Sequence, residues 1–231
     1  MALRRCHPSK SRVGSDDVNF NPNFAMKTQF SRRQTGFTLI ELLVVIAIIA
    51  VLAGAGFAAG GAAIQKAKRT TALATCIAIE SAVNNFYTEY GTMPKDNLSA
   101  DSVSTGLDTA TDEKKELLNV LLGYTEASST PLNTRSIKFL SVREGKPRTG
   151  GGTNGILITG SSPNQSANGL YDPWGGGYKV VLDGDYDEAI KVSPKGGSPQ
   201  TLNGRRVAVW SDGADGVSGK GTITDDVTTW K

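Results

Sequence analysis

Residues 32–64 read RRQTGFTLIELLVVIAIIAVLAGAGFAAGGAAI, and this stretch decides the architecture. From 37 to 64 the chain runs 28 residues with Glu41 as its only ionisable side chain. The 23 residues after Glu41 are enough, at about 1.5 Å per helical residue, to cross a hydrocarbon layer of roughly 30 Å. A cleaved secretory signal is the competing interpretation, but its apolar region is shorter, about 7–15 residues, and ends in a small-x-small site. Here the apolar run continues without proline into a helix-like pattern over 65–90. The expectation is one long helix, its first half in lipid and its second half packed on a soluble domain. Arg32 and Arg33 precede the span, which predicts a cytoplasmic N-terminus with the rest of the chain across the membrane.

Composition prunes the chemistry. With 20% charged and 39% hydrophobic residues in 231, the chain is neither a disordered polyelectrolyte nor a polytopic membrane protein. Its 27 glycines follow no period, which excludes collagen-like structure and points to a turn-rich region. The formal charge of +3 is unevenly placed: residues 1–36 carry a net +5, the remainder a net −2. A nucleic-acid partner is therefore not expected. The single histidine is His7 and the cysteines are Cys6 and Cys76, so the body of the chain can build neither a histidine-dependent triad nor a Cys/His zinc site. Cys76 reads as a small buried helix residue rather than a reactive thiol. The Gly150–Gly152 run lacks the G-K-[ST] or strand–G-x-G-x-x-G–helix context of a phosphate loop and reads as an ordinary loop.

Glu41 is the informative charge. A carboxylate near the start of an apolar helix costs on the order of 3 kcal/mol on insertion scales, less if it reaches the interface. It is either a boundary residue among headgroups or the partner of a positive group on a neighbouring subunit. Gly36-Phe37-Thr38-Leu39-Ile40-Glu41, preceded by Arg32, Arg33 and Gln34, resembles the processing site of type IV pilin-like proteins. That resemblance implies cleavage after Gly36 by a prepilin peptidase and methylation of the new Phe37 amine. It also implies a salt bridge from Glu41 to the Phe37 amine of the adjoining subunit in a filament. Residues 1–36 then form a leader, and Met26 opens a complete short basic leader of its own, so 1–25 read as a mis-assigned start. Residues 37–64 are the membrane and assembly helix, 65–94 its continuation, 95–170 a variable region, and 171–231 a sheet with a metal loop.

Beyond the span, Ala72, Ile77, Ile79, Ala82, Val83, Phe86 and Tyr87 form one apolar helical stripe, which Gly91 and Pro94 end. Gly54, Gly56, Gly60 and Gly61 weaken the middle of the helix, either for close helix contacts or for local melting. Residues 96–111 read as a polar loop. A short helix is expected at about 111–122, burying Leu117, Leu118, Leu121 and Leu122 and stopping at Gly123. Residues 145–155 and 160–169 read as Gly/Ser/Asn loops around the apolar stretch 156–158. Residues 177–182 and 188–192 read as a hairpin across Asp183–Asp187, with 205–210 as a third strand. The fold class is α+β: a pilin-like long helix on a small antiparallel sheet.

Two further pieces resemble one branch of that family, the major pseudopilin of type II secretion systems. They are Asp172-Pro173-Trp174-Gly175 with Tyr178, and the helix end Ile79-Glu80-Ser81-Ala82-Val83 with Phe86, Tyr87, Gly91 and Pro94. Ser211-Asp212-Gly213-Ala214-Asp215-Gly216, then Asp225, Asp226, Val227 and Trp230, resembles the same branch's C-terminal calcium loop. The resemblance implies a structural calcium held by Asp215, Asp225 and Asp226 together with Asp212, which would offer its backbone carbonyl. Oxygen-only, flexible sites of this kind suit calcium. A rival acidic run, Asp183-x-Asp185-x-Asp187, has Glu188 where an EF-hand places glycine and Pro194 where it places the bidentate glutamate, and is discounted. The function implied is a non-enzymatic subunit of an inner-membrane-anchored periplasmic pseudopilus. Its partners would be itself, the prepilin peptidase, the secretion platform, minor pseudopilins and membrane lipid. A surface type IV pilin shares the N-terminal motif, but such pilins commonly close the C-terminal region with a disulfide, and only Cys76 follows the leader. A membrane-anchored enzyme would have to work with carboxylates alone, which lie in turn-like contexts here.

Overall fold

The computed structural model describes residues 36–95, 98, 100–101, 105–111, 115–124, 131–193, 199–216 and 225–230, with backbone alone at 57–59. Residues 1–35 of the leader, with Met26, His7 and Cys6, and most of the 216–221 connection lie outside the described residues. The chain divides into two units, Met1–Ile49 and Ala50–Lys231. Helix α1, Leu39–Tyr90, has 52 residues and is the one described helix long and apolar enough to cross a membrane. The window that qualifies has no buried residues. The four mid-helix glycines do not interrupt it, and a Cβ at any of them would meet nothing within 4 Å.

In the second unit α1 turns amphipathic. Ala72, Cys76, Ile79, Val83 and Phe86 repeat at intervals of 4, 3, 4 and 3 residues and are all buried. Ile77, expected in this stripe, is instead 53% exposed. It stands one residue, about 100° of rotation, past Cys76 and so leaves the buried face. Gly91, at φ +72°, donates its N–H to the Tyr87 carbonyl at 2.8 Å, a left-handed cap that ends the helix where expected.

The stripe packs on a four-stranded antiparallel sheet in the order β1-β6-β9-β10. Its strands are β1 (Leu107–Asp108), β6 (Tyr178–Leu182), β9 (Val207–Ser211) and β10 (Val227–Thr228). In the central pair Val180 faces Val209 and Leu182 faces Val207. The period of two sends these four toward α1 and Val181, Ala208 and Trp210 to the other face. There they meet Ile190, Val192, Leu202 and Trp230, with Trp230 edge-on to Trp210 at 5.6 Å. A sheet covered on both faces explains why β9 is buried at every position.

Three expectations are corrected. The proposed hairpin between 177–182 and 188–192 does not form: β6 pairs with β1 and β9, while β7 (Ala189–Val192) pairs with β8 (Gln200–Asn203). The cause is Asp183, whose buried carboxylate takes the Tyr186 and Glu188 amides at 2.8 and 3.0 Å and turns the chain off the sheet. The stretch 96–111 is not all loop, since β1 pairs there through Leu107 and Asp108. The Gly-rich segment is also strand: β2 (Lys146–Arg148) pairs with β3 (Gly151–Thr153), and β4 (Gly155–Thr159) with β5 (Ser166–Tyr171). Its glycines make room for one ring. A Cβ on Gly151, Gly152 or Gly169 would approach Tyr171 to 2.9, 2.7 or 2.8 Å.

Helix α2 is described over Lys115–Leu122 rather than from 111, and residues 112–114 lie outside the described set. Asn119 and Val120 join the four leucines in the buried set, so the whole of 117–122 is enclosed. The Tyr124 N–H bonds the Asn119 carbonyl and Gly123, at φ +69°, bonds that of Val120. This Schellman pair ends the helix at Gly123 as expected.

Candidate functional site

At the N-terminal end, Thr38 immediately precedes α1 and Glu41 lies in its first turn. The Glu41 carboxylate accepts the Thr38 N–H at 2.8 Å and the Thr38 hydroxyl at 2.7 Å, while Thr38 Oγ1 accepts the Glu41 N–H at 3.3 Å. This is a T-x-x-E capping box, in which each residue satisfies a helix-end donor of the other. Phe37 is 79% exposed and Gly36 has open space around its Cα. Glu41 thus has a local task within one chain, which the sequence reading missed although T-x-x-E was legible.

The D-P-W-G segment is built around Asp172, which is 1% exposed. Its Oδ1 accepts the amides of Trp174, Gly175 and Gly176 at 2.8–2.9 Å, and its Oδ2 accepts the Ser211 hydroxyl at 2.6 Å. Ser211 Oγ in turn accepts the Gly213 N–H at 3.2 Å. One carboxylate therefore ties the turn after β5 to the end of β9 and to the loop that follows. Burial pushes this carboxyl above the usual range, opposed by the Ser211 hydroxyl and the three amides. Cys76 lies wholly in the core, where burial and then the Asp172 and Glu80 charges raise its thiol well above the ordinary value. That environment removes the thiolate a reactive cysteine needs.

In the C-terminal loop, Asp225 Oδ2 accepts the Ala214 and Asp215 amides at 3.1 and 3.2 Å. Gly213, at φ +72°, permits this approach, since a Cβ there would lie 2.5 Å from the Asp225 carbonyl. Asp225 Oδ1 is buried and meets no hydrogen-bond partner among the described residues. Asp212 turns its Oδ1 to the Trp210 indole N–H at 3.1 Å, and Asp226 is 8% exposed. Asp225 thus closes onto the 213–215 turn, while the Asp212 carboxylate faces Trp210. The four aspartates expected to share a metal do not form a gathered carboxylate set among the described residues.

A second acidic group gathers more tightly. Asp101, Asp183, Asp185 and Asp187 each bring an oxygen within 4.8 Å of the others, the one such set among the described residues. The discounted run at 183–187 is therefore brought together with a residue 82 positions earlier, which spacing alone could not show. Burial raises the Asp101 carboxyl, with the Asp185 and Asp187 charges adding to it. Burial likewise raises Asp183, with Asp185 and Asp101 adding. Carboxyls raised in the folded state hold protons more tightly there than in the unfolded chain, so their ionisation lowers stability as pH rises through their range. Asp187→Asn keeps an oxygen for the Ala189 amide and removes one charge. In chelator, it should raise Tm at neutral pH and flatten the fall in Tm as pH rises above the ordinary carboxylate range. Thermal melts of the full chain in detergent from that range upward check this, and an unchanged slope would refute the repulsion.

Two buried polar residues carried no signal in the sequence. Thr109 accepts the Tyr178 amide and donates to the Leu170 carbonyl, bridging β5 and β6. Asn133 donates to the Val120 and Ile137 carbonyls and accepts the Tyr90 hydroxyl, tying α2 to the end of α1.

Comparison with known proteins agrees with this arrangement. Residues 31–57 match the model of the prokaryotic N-terminal methylation motif. The chain is 40% identical over 72 residues to the type IV major pilin protein PilE of Neisseria gonorrhoeae, covering 31% of this chain and 43% of that one. It is 34% identical over 110 residues to a fimbrial protein of Neisseria meningitidis, covering 47% and 65%. These two alignments span less than two thirds of each relative. The prepilin peptidase-dependent protein D of Escherichia coli (strain K12) is 31% identical over 140 residues, 60% of this chain and 79% of that one. No solved structure matches. A methylation motif at the head of a long apolar helix, small antiparallel sheets packed on that helix, and similarity over four fifths of such a relative place the chain in the family of type IV pilin-like proteins.

Proposed function

We propose that this chain is the major subunit of a pseudopilus, a filament rooted in the inner membrane and extending through the periplasm in type II protein secretion. A prepilin peptidase cleaves between Gly36 and Phe37, the Phe37 amine is methylated, and α1 anchors the subunit until it polymerises. In the filament Glu41 neutralises the Phe37 amine of the adjoining copy. The secretion platform and minor pseudopilins are its further partners. The observation that carries the secretion reading is Asp172: the D-P-W-G turn is organised around a carboxylate that reaches across to Ser211 and the C-terminal loop. The second reading, a surface fibre, is favoured by the names of the pilin and fimbrial relatives. Deleting the gene separates them. Loss of secreted proteins from the medium with surface fibres intact supports the pseudopilus, and loss of fibres with secretion intact overturns it.

Within this reading the C-terminal loop holds a structural calcium. Asp225 Oδ1, buried and without a protein partner among the described residues, fits a cation, and Asp215, Asp226 and the Asp212 carbonyl would complete an oxygen set. The ion would secure the loop beside β10 and stabilise the fold by mass action. The full chain in detergent should melt several degrees higher in millimolar calcium than in chelator, and Asp225→Ala/Asp226→Ala should abolish the shift. Equal melting temperatures in calcium and chelator would overturn the site. A shift that survives in that variant and vanishes in Asp185→Asn/Asp187→Asn would move it to the other acidic group.

A further inference from the structure

Lys66, Lys68 and Arg69 follow the apolar stretch by two to five residues, and no acidic residue lies between Glu41 and Glu80. Cations at this end of a first span oppose the usual bias, which concentrates Lys and Arg at the cytoplasmic end. Lys66, Arg69, Thr70 and Leu73 lie at i, i+3, i+4 and i+7 and share one face of α1. Together with Asp226 and with Val227 and Thr228 of β10 they line an open cleft of about 410 Å³. Across the cleft, Arg69 of α1 donates from Nη2 to the backbone carbonyl of the buried Asp226 at 3.5 Å. The Thr228 hydroxyl in the wall opposite α1 is buried and has no hydrogen-bond partner among the described residues.

We propose that this cleft binds the phosphate of an anionic phospholipid headgroup at the membrane surface where the span ends. The site rests on the reading of α1 as a membrane anchor. Two exposed cations outweigh the single Asp226 carboxylate of the cleft and supply charge for a phosphodiester. Thr228 offers a hydroxyl, and Leu73 and Val227 give an apolar wall for the glycerol and upper acyl carbons; the Thr70 hydroxyl is already given to the Lys66 carbonyl. The lipid source follows from position. The cations lie within one and a half turns of the last apolar residue, where a headgroup is at hand and a soluble anion is dilute. The net −2 of the chain beyond residue 36 argues against an extended nucleic acid.

The test uses the full chain in nanodiscs of mixed phosphatidylglycerol and phosphatidylcholine, with lipids retained after gentle detergent extraction counted by native mass spectrometry. Each basic residue near an anionic surface is worth about fivefold in affinity. The wild type should therefore retain phosphatidylglycerol about tenfold or more over phosphatidylcholine, and Lys66→Gln/Arg69→Gln should bring the ratio to near one. Lys66→Gln alone should give an intermediate value, with unchanged circular dichroism in both. Retention without headgroup preference overturns the proposal while leaving the anchor reading intact, whereas a chain that does not enter the bilayer overturns both. Displacement of the bound lipid by millimolar inorganic phosphate, or by duplex DNA, would equally overturn the lipid assignment.

Discussion

Subunits carrying Glu41→Gln should insert into the membrane at least as well as the wild type and yet form almost no filaments. Insertion is expected to hold because the substitution removes a charge near the apolar helix. It also spares the capping box, since a glutamine carbonyl can accept the Thr38 N–H as the carboxylate does at 2.8 Å. Assembly is expected to fail because the Phe37 ammonium of the next subunit would enter a low-dielectric contact unpaired. Leaving one partner of a buried pair alone costs about 3–5 kcal/mol, a hundredfold or more per interface. Glu41→Ala removes the cap as well, so it should add a loss of order in the first turn that Gln does not. Membrane fractionation with filament counts by electron microscopy reads both effects. Normal assembly of the Gln variant would leave Glu41 with the capping role alone.

Asp172→Ala should lower the stability of the folded chain by roughly 3 kcal/mol or more, the largest loss expected from one side chain outside the apolar core. Three backbone amides of a half-buried turn and the fully buried Ser211 hydroxyl would lose their acceptor. Each orphaned buried group costs about 1–3 kcal/mol, reduced where the turn relaxes toward solvent. Against a typical total of about 5–15 kcal/mol, such a loss is severe. Asp172→Asn should cost less, because its carbonyl can still take the three amides while its amide donates to Ser211 Oγ. Urea unfolding of both variants in detergent measures the difference. Equal, small losses would show that the turn holds its shape without the carboxylate.

Much of this molecule was legible because it is local. A run of apolar residues with one charge dictates a helix whatever the rest of the chain does, and the glycines at 91 and 123 stop their helices through φ alone. Thr38 and Glu41 find each other across three residues of sequence, and the capping box needs nothing further. The strands 178–182, 189–192 and 207–211 were recognisable from their β-branched runs. Their pairing was not, because the partner of a strand is chosen by which faces can be buried together. β6 takes β9 and β1, and β7 leaves with β8 to cover the far face around Trp210. The Gly-rich segment misled for a related reason. Gly151, Gly152 and Gly169 look like loop residues in isolation and are strand residues here, since only glycine lets β3 and the preceding stretch of β5 itself approach the Tyr171 ring. Asp101 joins Asp183, Asp185 and Asp187 only once the chain has folded. The sequence by itself determined the long helix, its caps and the processing motif, whose physics runs over a few neighbouring residues. Tertiary structure alone decided strand partners, the Asp172–Ser211 tie and the meeting of distant carboxylates, since each depends on groups that burial, not chain order, brings into contact.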